Sequence, residues 1–272
     1  MKKTLPTINE NSLPDLLLKD VSFRFIESHI YTVLPDIAVE SSYEKKFGDI
    51  YDWVACNPIY NRLIWGYSTS KFASFTFDAL RSSKKGFVLD AGCGSLAFTA
   101  KTYIEYSERP VVLLDQSLKL LRIAKSRIIK LNGKVPDNMV FLHADALQLP
   151  FEPHKFHTII SLNLLHVLDD INKFLVGLRN VLVDDGKIYF TTLLKGNRVA
   201  DRYLKMWENA GEVVSRNINQ LQATFDQLGM PIKYDINGNM AFIYYGEINN
   251  QLRSFIVSRT YRALDKIVPK QF

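Results

Sequence analysis

The chain has 272 residues, of which 47% are hydrophobic, which is enough to bury a sizeable core and excludes a chain that is disordered throughout. Its net charge is +6, but the lysines and arginines are spread along the sequence, so a basic surface is favoured over a nucleic-acid-binding patch. The two cysteines, Cys56 and Cys93, fit neither a disulfide framework nor a zinc site, and we predict no metal.

The first residues contain Lys2 and Lys3, followed by polar residues and Pro6 instead of the apolar core of a signal peptide. No apolar run approaches the roughly 20 residues that a membrane-spanning helix needs. We therefore expect a cytoplasmic protein without a transmembrane segment. Residues 1–20, which include Pro14, are predicted to be a mobile lead-in.

Residues 21–80 are rich in aromatic side chains and lack strand-like alternation, so they are predicted to be largely helical and to cover an apolar surface. We expect residues 1–80 to form a helical N-terminal extension that acts as a lid. Within it we assign Tyr51, Tyr60 and Trp65 to the lid and the substrate pocket.

After Gly86 the sequence alternates between short apolar runs and helical stretches, a pattern typical of a parallel sheet with crossover helices. Residues 81–272 are expected to form this α/β domain. The predicted strands are 87–90, 111–115, 139–143, 158–162 and 187–193, and the predicted helices are 96–106, 117–131, 172–181 and 219–228. A turn signal at residues 237–239 predicts an antiparallel hairpin of two further strands.

The most informative motif is an apolar strand that ends in an acid and two glycines. Glycine lacks the Cβ atom that would keep a ligand away from the main chain, so a nucleoside-bearing cofactor is predicted to bind at this turn. The residues assigned to it are Asp90, Ala91, Gly92, Cys93 and Gly94.

A second apolar strand, residues 111–115, ends in Asp115. A carboxylate at this position can accept hydrogen bonds from both ribose hydroxyls of a nucleoside. Its alternative role is to cap the next helix, but Ser117 can do this equally well. We therefore assign Asp115, together with its neighbour Gln116, to cofactor binding.

The order of these motifs resembles that of the class I S-adenosylmethionine-dependent methyltransferases. The resemblance spans residues 86–247 and implies a Rossmann-like, doubly wound sheet of seven strands that ends in the antiparallel hairpin. It also implies S-adenosylmethionine as cofactor and S-adenosylhomocysteine as product. Tyr51, Asn57 and Trp65 resemble pieces of the lid in the type 11 and quinone-biosynthesis branch, although other lid residues stand in a different order.

The resemblance implies further site residues. Asp145 would accept a hydrogen bond from the adenine amine, and the backbone N–H of Ala146 would donate one to the ring. Asn163 and Leu164 would line the methyl-transfer site. His166, in the same loop, is a candidate general base because its ordinary pKa lies near neutrality, and its alternative role is to stabilise the loop.

An insertion at residues 195–216, with Tyr203 and Trp207, is expected to complete the lid and the acceptor pocket. Its composition implies a small, partly apolar or aromatic acceptor rather than a nucleic acid. The basic stretch 253–270 is predicted to be a helix packed on the core, and its alternative role is peripheral contact with an anionic membrane.

Three other functions stay open from the sequence. An NAD-dependent oxidoreductase uses the same kind of sheet, and Ala97 stands where some dinucleotide fingerprints permit alanine for the third glycine. An RNA methyltransferase would suit the basic charge. A catalytically silent relative would bind the cofactor without turnover, because fold does not fix function.

Overall fold

The computed structural model describes residues 8, 12–35, 57–83, 85–196 and 198–246. The predicted lid residue Tyr51 and the predicted C-terminal helix at 253–270 lie outside the described residues. Within the described part, no helix combines the length and the apolar composition that crossing a membrane requires.

One nine-stranded sheet organises the described residues. Its strands are β1 (Arg24–Glu27), β2 (Ile30–Thr32), β3 (Phe87–Ala91), β4 (Val111–Asp115), β5 (Met139–His143), β6 (Phe156–Leu162), β7 (Leu182–Leu193), β8 (Ile232–Asn237) and β9 (Met240–Tyr245). They lie in the order β1-β2-β5-β4-β3-β6-β7-β9-β8. The strands from β2 to β7 are parallel to their neighbours, whereas β1 is antiparallel to β2, and β9 is antiparallel to both β7 and β8. The predicted α/β class, with a mostly parallel Rossmann-like sheet, is confirmed, whereas the sheet of the described residues has nine strands and not the predicted seven.

Six helices of at least seven residues accompany the sheet in the described part of the chain. They are α1 (Ser70–Arg81), α2 (Ala100–Tyr106), α3 (Leu118–Asn132), α4 (Ile171–Val181), α5 (Arg198–Asn209) and α6 (Ile218–Gln227). Side-chain caps fix several of their starts, since Ser117 Oγ accepts from the N–H of Leu120 at 3.2 Å at the start of α3. At α6, Asn217 and Gln220 form a reciprocal capping box.

Both faces of the sheet are covered by apolar side chains. Leu89 belongs to the core on one face, and its neighbour Val88 belongs to the core on the other, as the two-residue period of a strand requires. β4 lies on one side of β3 and β6 lies on the other. The connection that follows β3 therefore leads to one side of β3, and the connection that enters β6 leads to the other side. A crevice opens between them at the carboxyl end of β3, and open α/β sheets bind ligands in such a crevice.

The expectation of a largely helical segment over residues 21–80 is wrong at β1 and β2. β2 pairs in parallel with β5, where Ile30 is opposite Phe141, and the N–H of Phe141 donates to the carbonyl of His29 at 2.8 Å. Because these strands have only four and three residues, their stability comes from the sheet edge that they extend and not from their own pattern.

The predicted mobile lead-in is also wrong where the structure describes it. Four apolar side chains of this stretch are buried in the core: Ile8, Leu13, Leu16 and Leu17. The N–H of Leu18 donates to the carbonyl of Pro150 at 2.9 Å. The described residues of this stretch thus stabilise the sheet directly. The predicted division of the chain at residue 80 stays a prediction.

Candidate active site

A cavity of about 570 Å³ opens at the carboxyl ends of β3 to β6, and its volume is within the range of small-molecule sites, roughly 300–1,000 Å³. The strand ends and the loops that follow them supply most of its wall. Its lining residues are Phe72, Gly92, Cys93, Gly94, Ser95, Leu96, Ala97, Phe98, Thr99, Asp115, Gln116, Ser117, Leu120, Asp145, Ala146, Leu147, Leu162, Asn163, Leu164, Val167, Leu168, Gly211 and Glu212. Nine of the eleven predicted cofactor residues meet there, and Asp90 and Ala91 lie buried behind them.

The glycine turn forms the floor of the cavity in a conformation that other residues adopt at a cost. Gly92 has φ +81° and Gly94 has φ +55°, both in the left-handed region. A Cβ atom on Gly92 would lie 2.8 Å from Cδ2 of Leu164, whereas a Cβ atom on Gly94 would meet no atom of the described residues within 4 Å. The main chain at Gly94 is therefore open to a ligand.

Asp115 ties this turn to β4. Its Oδ2 accepts from the N–H of Gly94 at 2.8 Å, and its Oδ1 accepts from the N–H of Ser117 at 2.9 Å. Ser117, not Asp115, caps α3. Each carboxylate oxygen has a second lone pair, so the arrangement leaves Asp115 able to accept from a ligand hydroxyl as well.

Asp90 is buried beneath the glycine turn with one oxygen unsatisfied. Its Oδ2 accepts from the hydroxyl of Tyr103 at 2.7 Å, whereas Oδ1 has no hydrogen-bond partner among the described residues. Burial raises the pKa of Asp90 to about 7, with a smaller contribution from the charge of Asp115 and an opposing one from the Tyr103 hydrogen bond. Burial likewise raises the pKa of the Cys93 thiol well above its usual range.

On the opposite side of the cavity, Asp145 and Ala146 lie in the turn after β5. Asp145 Oδ1 accepts from the N–H of Leu147 at 2.8 Å, which holds the carboxylate in place. The N–H of Ala146 donates to no other described residue. This turn thus presents both a fixed acceptor and a spare donor, as the assignment to an adenine ring requires.

Asn163 and Leu164 follow β6 and complete this part of the wall. Asn163 has φ +59°, which asparagine tolerates better than most residues. The hydroxyl of Thr191 donates to Asn163 Oδ1 at 3.1 Å and accepts from the N–H of Asn163 at 3.0 Å. The side-chain orientation of Asn163 is therefore set by the neighbouring strand.

His166 does not line the cavity. It is 5% exposed, and its Nδ1 accepts from the N–H of Leu193 at 3.3 Å and lies 3.2 Å from the hydroxyl of Thr192. Burial, with a smaller contribution from the charge of the nearby Arg216, lowers the pKa of His166 to about 4. The ring is neutral at pH 7, and its accepting nitrogen is already engaged by the protein.

None of the four predicted lid residues that the structure describes, Tyr60, Trp65, Tyr203 and Trp207, lines the cavity. Trp65 and Tyr203 meet edge to face with ring centroids 6.4 Å apart. Burial raises the pKa of Tyr60, and Tyr203 contributes to the shift. The carbonyl of Trp207 accepts from the N–H of Glu212 at 3.0 Å. Their role as a lid stays a prediction.

Several lining residues were missed by the sequence interpretation. Phe72 on α1 and Phe98 after the glycine turn stack with centroids 5.4 Å apart and planes 15° apart. Gly211 and Glu212 reach the cavity from the end of the predicted insertion. The sequence signals were weak: Phe72 was one of many aromatic residues, and Glu212 was one acid in a polar stretch.

Part of the chain matches a known family of proteins. A family model described as a methyltransferase domain matches residues 88–186. This range contains the glycine turn, both carboxylates of the opposite walls and the loop of Asn163. Among curated proteins, none matches the chain in sequence.

Solved structures share the fold at low sequence identity. A complex of the Trm112 methyltransferase activator of Haloferax volcanii with a protein assigned as a methyltransferase matches at TM-score 0.57 and 14% identity, covering 75% of this chain and 98% of that one. A geranyl diphosphate C-methyltransferase from Streptomyces coelicolor, solved with Mg²⁺, geranyl-S-thiolodiphosphate and S-adenosylhomocysteine, matches at TM-score 0.53 and 12% identity, covering 65% and 74%. The YcgJ protein of Bacillus subtilis matches at TM-score 0.50 and 20% identity, covering 60% and 70%.

Proposed function

We propose that this chain, whose residues 88–186 match a family model described as a methyltransferase domain, transfers a methyl group from S-adenosylmethionine to a small acceptor that is partly apolar or aromatic. The observation that carries this proposal is the meeting of Gly94, Asp115 and Asp145 in one cavity. The buried Asp90, which lies behind these lining residues, has one oxygen without a partner among the described residues.

The described residues fit the cofactor at each end. Asp90 Oδ1, buried and without a partner among the described residues, suits an ammonium group. The carboxylate of Asp115 suits the two ribose hydroxyls. The fixed acceptor of Asp145 and the spare N–H of Ala146 suit the edge of an adenine ring. Bound there, S-adenosylmethionine would supply an electrophilic methyl group on a sulfonium.

The protein's own contribution is placement and exclusion of water. Displacement at a sulfonium neutralises charge, so an apolar environment favours this reaction. Phe98, Leu162 and Leu164 provide an apolar wall in the cavity. Holding the two reactants in line accounts for roughly 7–11 kcal/mol in well-oriented reactions. We expect His166 to be a positioning residue for the loop of Asn163, because its accepting nitrogen is engaged and its pKa is about 4.

The charge of the cavity favours S-adenosylmethionine over NAD as the cofactor, and it favours an acceptor without phosphate groups. Three carboxylates line it, those of Asp115, Asp145 and Glu212, and none of the described lining residues is Lys, Arg or His. A pyrophosphate of NAD, an RNA backbone or a diphosphate such as that of geranyl diphosphate would meet this negative charge unpaired. S-adenosylmethionine carries a sulfonium, whose charge the carboxylates stabilise.

The proposal is tested by calorimetric titration of the full-length protein with S-adenosylhomocysteine and with NAD⁺. We expect S-adenosylhomocysteine to bind with a micromolar Kd and NAD⁺ at least a hundredfold more weakly. Tighter binding of NAD⁺, or no binding of S-adenosylhomocysteine, would refute the assignment. Binding of tRNA with a steep salt dependence would favour an RNA acceptor, and cofactor binding without turnover across many small acceptors would favour the silent relative.

The affinity for S-adenosylhomocysteine should rise by up to about tenfold between pH 6 and pH 8. In the free protein the Asp90 pKa is about 7, and only the ionised carboxylate pairs with the ammonium group, so binding at lower pH requires release of a proton. Titrations in two buffers of different ionisation enthalpy measure that proton.

Asp90→Asn is the control for this pH dependence, because the amide keeps the shape and does not titrate. Its affinity should be lower and nearly constant over the same range. A wild-type protein whose affinity does not change with pH would show that Asp90 does not face the ammonium group.

A further inference from the structure

The cavity is acidic although the protein is basic. The net charge of the whole chain is +6, yet among the described residues the charged side chains that line the cavity are all carboxylates. Charges inside a concave site act on a ligand more strongly than charges spread over the surface, since little water separates them from it. The sign of the cavity therefore constrains what it binds more than the sign of the whole protein does.

In the function proposed above, two of the three carboxylates bind the cofactor. Asp115 is assigned to the ribose and Asp145 to the adenine. Of the described lining residues that are not assigned to the cofactor, only Glu212 carries a charge. Within the part of the chain that the structure describes, the acceptor thus meets the charge of a single carboxylate.

Glu212 is held on a braced segment. Its N–H donates to the carbonyl of Trp207 at 3.0 Å, at the end of α5. Two residues later, the N–H of Val214 donates to the carbonyl of His166 at 2.8 Å. The guanidinium of Arg216 then donates to the carbonyls of Leu165 at 2.9 Å and Leu168 at 3.0 Å. This segment is fixed to the loop that forms the cavity wall, so the backbone that carries the half-buried Glu212 is preorganised.

An aromatic surface lines the same cavity. Phe72 is buried and Phe98 is half-buried, and their rings stack with centroids 5.4 Å apart. Aromatic faces attract both other rings and organic cations. A cavity that combines one carboxylate with aromatic walls is complementary to a small ring-bearing or apolar molecule with a positive charge.

We propose that Glu212 binds a protonated amino group of the acceptor, and that the acceptors of this protein are small apolar or aromatic amines. The inference rests on the proposed methyl-transfer function and deepens it by naming the substrate class. Carboxylate and phosphate acceptors are rejected because they would add a negative charge beside Glu212, whose carboxylate has no ion-pair partner among the described residues.

The test uses a pair of probes that share a ring and a chain length but differ in charge: phenethylamine and 3-phenylpropionate. Their binding to the full-length protein, saturated with S-adenosylhomocysteine at pH 7.5, is measured by ligand-observed NMR titration. We expect the amine to bind at least fivefold more tightly than the acid. Glu212→Gln should reduce this preference to less than twofold.

Glu105→Gln is the matched control, since it makes the same substitution on α2 in an exposed ion pair with Lys101, 3.6 Å apart. It should keep the full preference. Equal binding of the two probes, binding of neither, preference for the acid, or a preference that survives in Glu212→Gln would each overturn the inference. A Glu212→Gln variant that loses S-adenosylhomocysteine would place this residue against the cofactor and would also overturn it.

These outcomes are distinct from failure of the proposed function. If the wild-type protein does not bind S-adenosylhomocysteine, the methyltransferase proposal itself fails. If it binds S-adenosylhomocysteine normally and shows no preference between the probes, only the amine assignment fails.

Discussion

Replacing Asp115 with alanine should lower the affinity for S-adenosylhomocysteine on the order of a hundredfold while the protein stays folded. The variant loses the carboxylate that the ribose hydroxyls would bind, and two hydrogen bonds to a charged group contribute about 3 kcal/mol together. It also releases the N–H of Gly94, which Asp115 Oδ2 holds at 2.8 Å, so the glycine turn becomes less ordered. Calorimetric titration measures the loss, and thermal unfolding checks the fold.

Asp170→Ala is the control for this experiment. Asp170 caps α4 by accepting from the N–H of Lys173 at 2.9 Å, and it does not line the cavity. Losing this cap costs about 1 kcal/mol of stability, and the affinity for S-adenosylhomocysteine should not change. An Asp115→Ala protein that binds as tightly as the wild type would show that the carboxylate faces no ligand.

The central strands were predictable because each is a short apolar run closed by a turn. Residues 111–115 were predicted as a strand, and β4 has the same bounds. β7 begins at Leu182, five residues before the predicted start, because the polar residues that precede Lys187 still follow an extended path. A sequence shows the two-residue period of a strand where one side of the strand is buried. The period is weaker where the end of a strand leaves the core.

The N-terminal strands were not predictable from the sequence because their signals are long-range. The turn between β1 and β2 places His29 at φ +65°, where glycine or asparagine would be the usual sign of a hairpin. Leu16 ends a helical turn of only three residues, Pro14–Leu16, and Leu13 precedes it, so the turn is too short to show a period. Their burial is decided by the sheet against which they pack.

The cofactor side and the acceptor side of the candidate site also differ in how far the sequence predicts them. Gly92, Gly94 and Asp115 come from strand ends that local sequence identifies, and the structure brings them together. Phe72 and Glu212 come from segments before and after the central strands, and no local pattern indicates which of their neighbours would face the cavity. The cofactor side of the site could therefore be predicted, whereas much of the acceptor side could not.

Gly94→Ala should lower the affinity for S-adenosylhomocysteine a hundredfold or more, because the added methyl group would occupy space that belongs to the ligand. A Cβ atom there would meet no atom within 4 Å in the part of the chain that the structure describes, so this part accommodates it without a clash. The remaining cost to folding is that of alanine at φ +55°, about 1–2 kcal/mol. Gly92→Val tests the same turn less cleanly, since its Cβ would also clash with Leu164 at 2.8 Å.

Gly133→Ala separates the two effects of this substitution. Gly133 ends α3 at φ +80°, also has no atom within 4 Å of an added Cβ, and does not line the cavity. It should lose a similar amount of stability in thermal unfolding and keep its affinity for S-adenosylhomocysteine. If Gly94→Ala binds as tightly as Gly133→Ala, the ligand does not lie against the glycine turn, and the cofactor assignment fails at its centre. If only Gly94→Ala loses affinity, the loss is steric, because backbone strain is common to both variants.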